Sequence, residues 1–256
     1  MFGVNVMSYS KAIALSALLV ATTSIAEVLP FEAEYRADFK GIPIAKGYRQ
    51  LIDLGNDTFQ IKSIGTALAG GLKYDDTSRF TYHQQDVKTL GFVLKQSNLF
   101  STTRVTGHPD RKGGLIVDVD GERHHFEAPD NVHQLMDAAG FSVQLQNDLK
   151  KGLKDLDYHY NVIDEVDNYR FTVVAEETVE TILGTFEALK VEQKKREGRS
   201  TWLWLAPELD YHLVKAEIIR NGKSWATLVA TRIDIVEPEK PMLAKQAANN
   251  EAELSN

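Results

Sequence analysis

Histidine and carboxylate side chains are the first residues of this sequence that could do chemistry. His133 and Asp137 are four residues apart, and on a helix this spacing would let the carboxylate orient the imidazole. A plain surface ion pair uses the same spacing. His124 and His125 are adjacent in a strand-like run, so their side chains should point to opposite faces and could share a metal ion only with distortion. Neither pair therefore predicts a metal or catalytic site.

Two groups of acidic residues have spacings that resemble known sites. Asp118, Asp120 and Glu122 resemble part of a calcium-binding loop, but the distal glutamate of an EF-hand is missing and a hairpin turn explains them more simply. The second group, Glu176, Glu177 and Glu180, could supply the two carboxyls that glycosidic hydrolysis needs about 5 to 10 Å apart. Acidic pairs are also common on solvated strands.

The motifs of the familiar catalytic mechanisms are absent from the sequence. It contains no cysteine, no G-x-S-x-G elbow, no H-E-x-x-H pair and no glycine-rich nucleotide loop. The sequence therefore favours a non-enzymatic protein, and it predicts no catalytic residue, no metal ion and no cofactor.

Trp202 and Trp204 are the candidate ligand-binding residues. They are two positions apart in a strand-like run, so their indoles should share one face. If that face is the inside of a curved sheet, the indoles could line an apolar groove for an acyl chain or stack on sugar rings. The alternative is that they fill the core.

The segments that must position these residues have the alternation of β-strands. Residues 31–39 alternate between apolar and charged side chains, which is the period of a half-buried strand. Short turns such as Asp120-Gly121 and Asn221-Gly222 join further runs and are typical of hairpins. Roughly a dozen such strands predict a mainly β protein with a single large antiparallel curved sheet, spiral or barrel-like.

One segment interrupts the strands. Between Asn131 and Lys151, apolar residues recur at helical spacing, with Asp130 or Asn131 available as an N-cap and Gly140 as a break. We expect a one- or two-helix insertion at about 131–151. A curved sheet with a helical lid is a common way to enclose a small ligand.

The N-terminus has the layout of a secretory signal peptide. Lys11 precedes an apolar run at 12–20, and the small residues Ser24 and Ala26 fit a cleavage site after residue 26. No cysteine follows for lipid attachment, and the run is shorter than the roughly 20 residues of a membrane span. We therefore predict a periplasmic protein without lipidation, divided into a signal peptide (1–26), a single β-rich domain (27–236) and a disordered tail (237–256).

The charge of the chain restricts its partners. The net charge is −7, which argues against nucleic acid as a partner. The sequence also has no cluster of four to eight Lys or Arg of the kind that binds anionic lipid headgroups.

Three runs of residues resemble an uncharacterised envelope family, number 3108 among the domains of unknown function. The runs are Thr181 to Val191 (TILGTFEALKV), Thr201 to Leu209 (TWLWLAPEL) with Tyr211, and Pro30 to Tyr35 (PFEAEY) with Gly41-Ile42-Pro43 and Gly47. The family tends to carry a proline after the tyrosine, where this chain has Leu213-Val214. The resemblance implies a periplasmic β-rich domain and supplies no catalytic residues.

Together these features predict a non-enzymatic envelope protein that binds an apolar or amphipathic ligand, a lipid or lipid-linked glycan, on the concave side of its sheet. One alternative is an interaction or assembly protein that engages an envelope partner through a sheet edge or its tail. A second alternative is a polysaccharide hydrolase. A ligand binder should contain a closed apolar cavity of at least about 300 Å³, an interaction protein a filled core with an exposed apolar patch or edge, and a hydrolase a cleft with convergent carboxylates.

Overall fold

Strands make up most of the molecule. The structure, a computed structural model, describes residues 28–196 and 198–236, so the predicted signal peptide and tail lie outside the described residues. Strands account for 69% of the described residues, and one α-helix, α1 (Gly140–Lys150), accompanies them. The strands are β1 (Phe31–Phe39), β2 (Ile42–Gly55), β3 (Thr58–Ala67), β4 (Leu72–His83), β5 (Asp86–Ser97), β6 (Thr102–Pro109), β7 (Leu115–Val119), β8 (Glu122–Phe126), β9 (Met136–Asp137), β10 (Asp155–Val162), β11 (Glu165–Thr181), β12 (Gly184–Arg196), β13 (Arg199–Ala206), β14 (His212–Arg220) and β15 (Lys223–Ile235).

All of these strands form a single sheet. Its order is β8-β7-β6-β5-β4-β3-β2-β1-β15-β14-β13-β12-β11-β10-β9. Strands that are consecutive in sequence therefore pair, except for β8 and β9, which lie at the two edges, and β1 joins the two halves by pairing with β15. The pairs are antiparallel except for the two-residue parallel bridge between β9 and β10. The prediction of one large, mainly antiparallel sheet with a helical insertion is confirmed, and the sheet is not closed.

Asx-Gly turns explain why the chain reverses where the sequence predicts hairpins. Asp120 and Gly121 have φ of 52° and 93°, and Asn221 and Gly222 have φ of 49° and 73°. Positive φ at both central residues defines the hairpin turn whose twist matches that of the flanking strands. Asp118 completes the first turn, because its carboxylate accepts a hydrogen bond from the Gly121 N–H at 2.9 Å.

The helix begins later than the sequence predicts. It starts at Gly140, and neither Asp130 nor Asn131 caps it; residues 131–139 are an extended connection that contains β9. Instead, the Asp137 carboxyl accepts hydrogen bonds from the N–H groups of Ala139 and Gly140, both at 3.0 Å. Gly140 therefore starts the one α-helix of the described residues rather than dividing two.

Asp137 is held in place by the sheet. Its carboxyl also accepts hydrogen bonds from the hydroxyls of Ser78, at 2.9 Å, and Thr89, at 2.8 Å, and it is 2% exposed. The predicted helical pair with His133 does not form, because the two residues lie in the connection and Asp137 points into the core. Asp137 thus anchors the start of α1 to β4 and β5.

The helix joins the two halves of the sheet through their cores. Val143 packs with a cluster from β1 to β5 that contains Phe31 and Phe80. Leu149 packs with a second cluster, from β10 to β13, that contains Phe171 and Leu205. Burying such side chains contributes about 1.5 to 3 kcal/mol each, so α1 stabilises the open sheet by contacting both sides of it.

Candidate functional site

The face of β1 to β6 that packs against α1 is called the inner face here, and near one end its side chains become small. Leu51 and Ile61 pair across β2 and β3 in the buried core of this face. Closer to the turns, Gly47 pairs with Gly65 and Ala45 pairs with Ala67. A Cβ added at Gly65 would meet only ordinary contacts, the nearest at 3.6 Å. The inner face therefore leaves open space at this end.

This space is a pocket of about 390 Å³ that is open to solvent rather than closed, and it has two different sides. The side chains that β2, β3 and β4 direct to the inner face are mainly apolar, and the side from β5, β6 and their turn is polar. The apolar side consists of Ala45, Gly65, Ala67, Leu72 and Tyr74, and the polar side includes Gln96, Asn98, Ser101 and Thr103. Lys46 and Lys73 also line the pocket, and none of its lining residues is acidic.

A buried carboxyl, that of Asp76, lies next to Tyr74 on the inner face of β4. The Tyr74 hydroxyl donates a hydrogen bond to Asp76 Oδ2 at 3.1 Å. Asp76 is 5% exposed. Its burial, together with the nearby Asp137, raises the pKa of Asp76 to about 6, although the Tyr74 hydrogen bond and Arg49 oppose the rise. Burial and the Asp76 charge likewise raise the pKa of Tyr74. A buried carboxyl with a raised pKa therefore lies one row beyond Tyr74 on the inner face.

Arg49 adds a positive charge to the same region. It pairs with Ser63 in register, and Ser63 pairs with Asp76, so the three residues form one row across the inner face. The guanidinium donates to Ser142 Oγ and to the Ala139 carbonyl, the latter at 3.4 Å. Its buried Nε has no hydrogen-bond partner, and Arg49 forms no ion pair among the residues that the structure describes.

His212 is a further buried polar residue that the sequence did not single out. It is 2% exposed, and its ring meets Phe31 edge-on with the centroids 4.3 Å apart. Burial lowers the pKa of His212 to about 4. The imidazole is therefore neutral at pH 7, with Nδ1 donating to the Leu209 carbonyl at 2.8 Å.

Trp202 and Trp204 lie away from this pocket. Their rings share a face, with centroids 6.2 Å apart. The neighbouring side chains on the other face, Leu203 and Leu205, pack in the cluster that contains α1 residues, so the two indoles point away from the helix. Trp204 is buried with Phe186 and its neighbours, whereas Trp202 is half-buried.

Charged partners surround the two indoles. The Trp204 Nε1–H donates to Glu177 at 3.0 Å, and Lys190 donates to the same carboxylate at 3.0 Å. The Lys190 ammonium lies 4.1 Å from the centroid of Trp202, and Lys215 lies 4.6 Å from that of Trp204. These bonds lower the pKa of Glu177, which keeps it ionised.

Replacing Trp204 tests whether this network is structural. Trp204→Phe is expected to lower the free energy of unfolding by about 1 to 2 kcal/mol, because the hydrogen bond to Glu177 is lost and a small cavity is left. Trp202→Phe keeps an aromatic ring beside Lys190, so it should change the free energy of unfolding by less than about 0.5 kcal/mol. Urea unfolding monitored by circular dichroism measures both; equal effects would show that the Glu177 bond contributes nothing.

The other residues that the sequence singles out do not converge on a site. His125 pairs with Asp110 at 2.7 Å, while His124 stacks on Phe126 instead. Hydrogen bonds from His125 and from backbone N–H groups lower the pKa of Asp110. No group of three or more metal-ligating side chains occurs in residues 28–196 and 198–236. Nor does this part of the chain contain a helix long and apolar enough to cross a membrane.

The acidic group at 176–180 is also dispersed. Glu176 and Glu177 pair with Leu189 and Ala188 of β12 and so point to opposite faces of the sheet. Asp120, of the other acidic group, accepts a hydrogen bond from the Arg104 N–H at 2.7 Å and so belongs to a turn. The two arrangements fit the structural roles of solvated strand and hairpin.

Comparison with known proteins identifies a family and a fold. A family model described as "Protein of unknown function (DUF3108)" matches residues 34–224. No curated protein matches the chain. A beta-barrel-like protein of the domain of unknown function DUF1849 from Brucella abortus is 8% identical, with a TM-score of 0.54 over 82% of this chain and 99% of the other. Such a similarity shows a shared fold only.

Two further solved structures are more distant. An exported protein with a YmcC-like fold from Bacteroides fragilis is 14% identical over 80% of this chain and 95% of its own, with a TM-score of 0.33. A DUF1329 family protein from Desulfovibrio piger is 10% identical over 87% and 92%, with a TM-score of 0.25. Both scores are too low to support an argument.

Proposed function

Because this chain belongs to the DUF3108 family, whose function is unknown, we propose a role from its own geometry: it binds an amphipathic ligand, a lipid or lipid-linked glycan, in the pocket of the inner face. The signal-like N-terminus supports placing this role in the periplasm. No residue of the site is given a catalytic task.

The two-sided lining of the pocket is the observation that carries this proposal. Its volume of about 390 Å³ falls within the range of small-molecule sites. A ligand with one apolar and one polar side would cover Ala67 and Leu72 while hydrogen-bonding Gln96 and Asn98 on the other wall. Purely apolar and purely polar ligands would each leave half of the lining unmatched.

The charge of the inner face near the pocket supports a ligand that carries negative charge. Arg49 lies two positions along β2 from Gly47 on this face, and its guanidinium forms no ion pair with the described residues. Lys46 and Lys73 also line the pocket, but they alternate with inner-face residues, so their side chains start on the opposite face of the sheet. An anionic group near Arg49 would gain favourable electrostatic interactions that a neutral one would not.

Trp202 and Trp204 with Lys190 are a second candidate surface for the same class of ligand. Trp202 is half-buried, and an indole face beside an ammonium group could take a sugar ring. However, Trp204 is already buried and bonded to Glu177. We therefore place the ligand in the pocket and treat the tryptophans as the alternative.

The interaction hypothesis has a specific feature in its favour, since the sheet is open and β8 lies at its edge. A partner strand could pair with β8. Exposed Glu122 and Arg123 on this short strand are, however, the kind of charged residues that protect edges from pairing. The pocket therefore remains the better-supported site.

Titration with a fluorescent long-chain fatty acid tests the proposal and separates the two surfaces. We expect saturable binding of one probe per protein with a micromolar dissociation constant. Trp202→Ala should leave the affinity unchanged, within about twofold, if the pocket is the site. If this variant loses affinity for the probe by tenfold or more, the ligand binds at the tryptophans and not in the pocket. Absence of saturable binding with fatty-acid, phospholipid and glycolipid probes would refute the proposal.

A further inference from the structure

Four turns come together at the end of the sheet where the pocket opens. They lie in residues 39–46, 66–74, 95–104 and 220–225, which we call the basic tip. The strands that these turns connect are neighbours in the sheet, from β14 through β15 and β1 to β6. Each turn therefore lies beside the next, although the segments are far apart in sequence.

The basic tip exposes large apolar side chains. Phe100 is 96% exposed and Leu99 is 79% exposed, and Ile42 and Leu68 are more than half exposed. The Asn98 side chain holds the turn in this form, because its oxygen accepts hydrogen bonds from the Phe100 N–H, at 2.8 Å, and from the next residue, at 2.9 Å. Leu99 and Phe100 are thus presented to the exterior by an ordered turn.

Aromatic rings and cations extend this surface across β1 and β15. Phe39 and Trp225 meet edge-on with centroids 4.9 Å apart. The Arg220 guanidinium lies 3.6 Å from the centroid of Trp225, and the Lys40 ammonium lies 5.4 Å from that of Phe39. Aromatic rings with nearby cations are characteristic of protein surfaces at membrane interfaces.

The charge of the basic tip is opposite to that of the whole chain. Its four segments contain no Asp or Glu and the seven cations Lys40, Lys46, Lys73, Lys95, Arg104, Arg220 and Lys223, whereas the chain has a net charge of −7. The acidic turn between β7 and β8, where Asp120 accepts a hydrogen bond from the Arg104 N–H, bounds the basic tip on the β6 side. Turns at the other end of the same strands carry Asp57, Asp86 and Asp210. The sequence has no contiguous basic cluster, so this one exists only because the sheet brings four turns together.

We infer that the basic tip docks on the surface of an anionic lipid bilayer, with Leu99 and Phe100 entering the boundary between headgroups and acyl chains. The lysines and arginines attract anionic headgroups. The exposed apolar side chains leave water and become buried at the edge of the acyl-chain region, which adds to the binding free energy. A second copy of the protein is a poorer occupant, because two basic tips would repel each other. This docking goes beyond ligand binding and does not depend on it.

Vesicle flotation of the full-length protein tests the inference. We expect the protein to float with vesicles of equal parts phosphatidylcholine and phosphatidylglycerol, and not with phosphatidylcholine alone. Leu99→Ser with Phe100→Ser should weaken this binding by about tenfold or more, because the apolar side chains no longer enter the bilayer. The control is Ile182→Ser, which removes an apolar residue that is 62% exposed at the opposite end of the sheet.

A charge variant tests the electrostatic part separately. A triple variant tests this part: Lys40→Gln, Lys73→Gln and Lys95→Gln. It should bind anionic vesicles about tenfold more weakly, and added salt should weaken the vesicle binding of the unchanged protein in the same way. Lys88, Lys112 and Lys154 changed to Gln are the control, since these exposed lysines lie away from the tip. Circular dichroism must show that all variants remain folded.

Three outcomes would overturn the inference: no flotation with anionic vesicles, flotation that the tip variants leave unchanged, or concentration-dependent dimers that the Leu99 and Phe100 changes abolish. Docking and ligand binding remain distinguishable, because Gly65→Leu, which fills the pocket, should leave flotation unchanged.

Discussion

Asp76→Asn is expected to stabilise the protein by about 3 kcal/mol at pH 7.5 and to leave its stability at pH 4 nearly unchanged. The reason is that burial and Asp137 raise the pKa of Asp76 from 3.8 to about 6. A rise of this size corresponds to about 3 kcal/mol between the two protonation states. The uncharged asparagine can still accept the hydrogen bond from Tyr74.

The sign follows from proton binding. Below pH 4 Asp76 is protonated in both the folded and the unfolded protein, so its titration does not change the free energy of unfolding. Between pH 4 and 6 the folded state binds more protons than the unfolded state, and stability falls as pH rises. Above pH 6 the full cost of the buried charge is present, and asparagine removes it.

Urea unfolding at pH 4 and 7.5 measures this effect as a difference between two proteins. The comparison with the unchanged protein is needed because His212 also makes stability depend on pH. Its pKa is lowered to about 4, so its protonation lowers the free energy of unfolding as the pH falls, which is opposite in sign to the effect of Asp76. Asp75→Asn is the matched control: its carboxylate is exposed and 3.9 Å from Lys62, so the change should stay within about 0.5 kcal/mol. A gain from Asp76→Asn that is equal at both pH values would contradict the assignment.

Filling the pocket is expected to abolish ligand binding without unfolding the protein. In Gly65→Leu the new side chain starts on the inner face, beside Tyr74, and extends into the pocket. The backbone at Gly65 is ordinary extended strand, so leucine should be accepted there at little cost. We expect the affinity for the fatty-acid probe to fall by tenfold or more.

Gly65→Ala is the control for this change, because it replaces the same glycine with a single methyl group and leaves most of the volume open. It should bind the probe within about twofold of the unchanged protein. Thermal unfolding should show that both variants are folded. Equal loss of binding in the two variants, or none in either, would mean that the pocket is not the binding site.

Local patterns in the sequence account for most of the sheet. Alternation over 31–39 predicts β1, and the Asp120-Gly121 and Asn221-Gly222 turns predict two hairpins that the structure confirms. The start of α1 could not be predicted in this way, because its cap, Asp137, is positioned by Ser78 and Thr89, which are far away in sequence.

The pocket depends on register, which a period of two leaves open. Single glycines inside strand-like runs, such as Gly47 and Gly65, are a signal for unusual space or a close approach. Only the pairing of β2 with β3 places the two glycines opposite each other, and the pairing of β3 with β4 puts Asp76 in the next row. The sequence instead directs attention to Trp202 and Trp204, which are conspicuous by type and lie on the other side of the sheet from α1.

Native mass spectrometry combined with lipid extraction tests most directly whether this pocket holds an amphipathic ligand. The full chain and the Gly65→Leu variant would be expressed in a bacterial host and purified from the cell fraction in which they are found. We predict a stoichiometric extra mass on the unchanged protein that is extracted into organic solvent and is absent from the variant. An extra mass that the variant retains, or none on protein that also fails to bind the fatty-acid probe, would contradict this account.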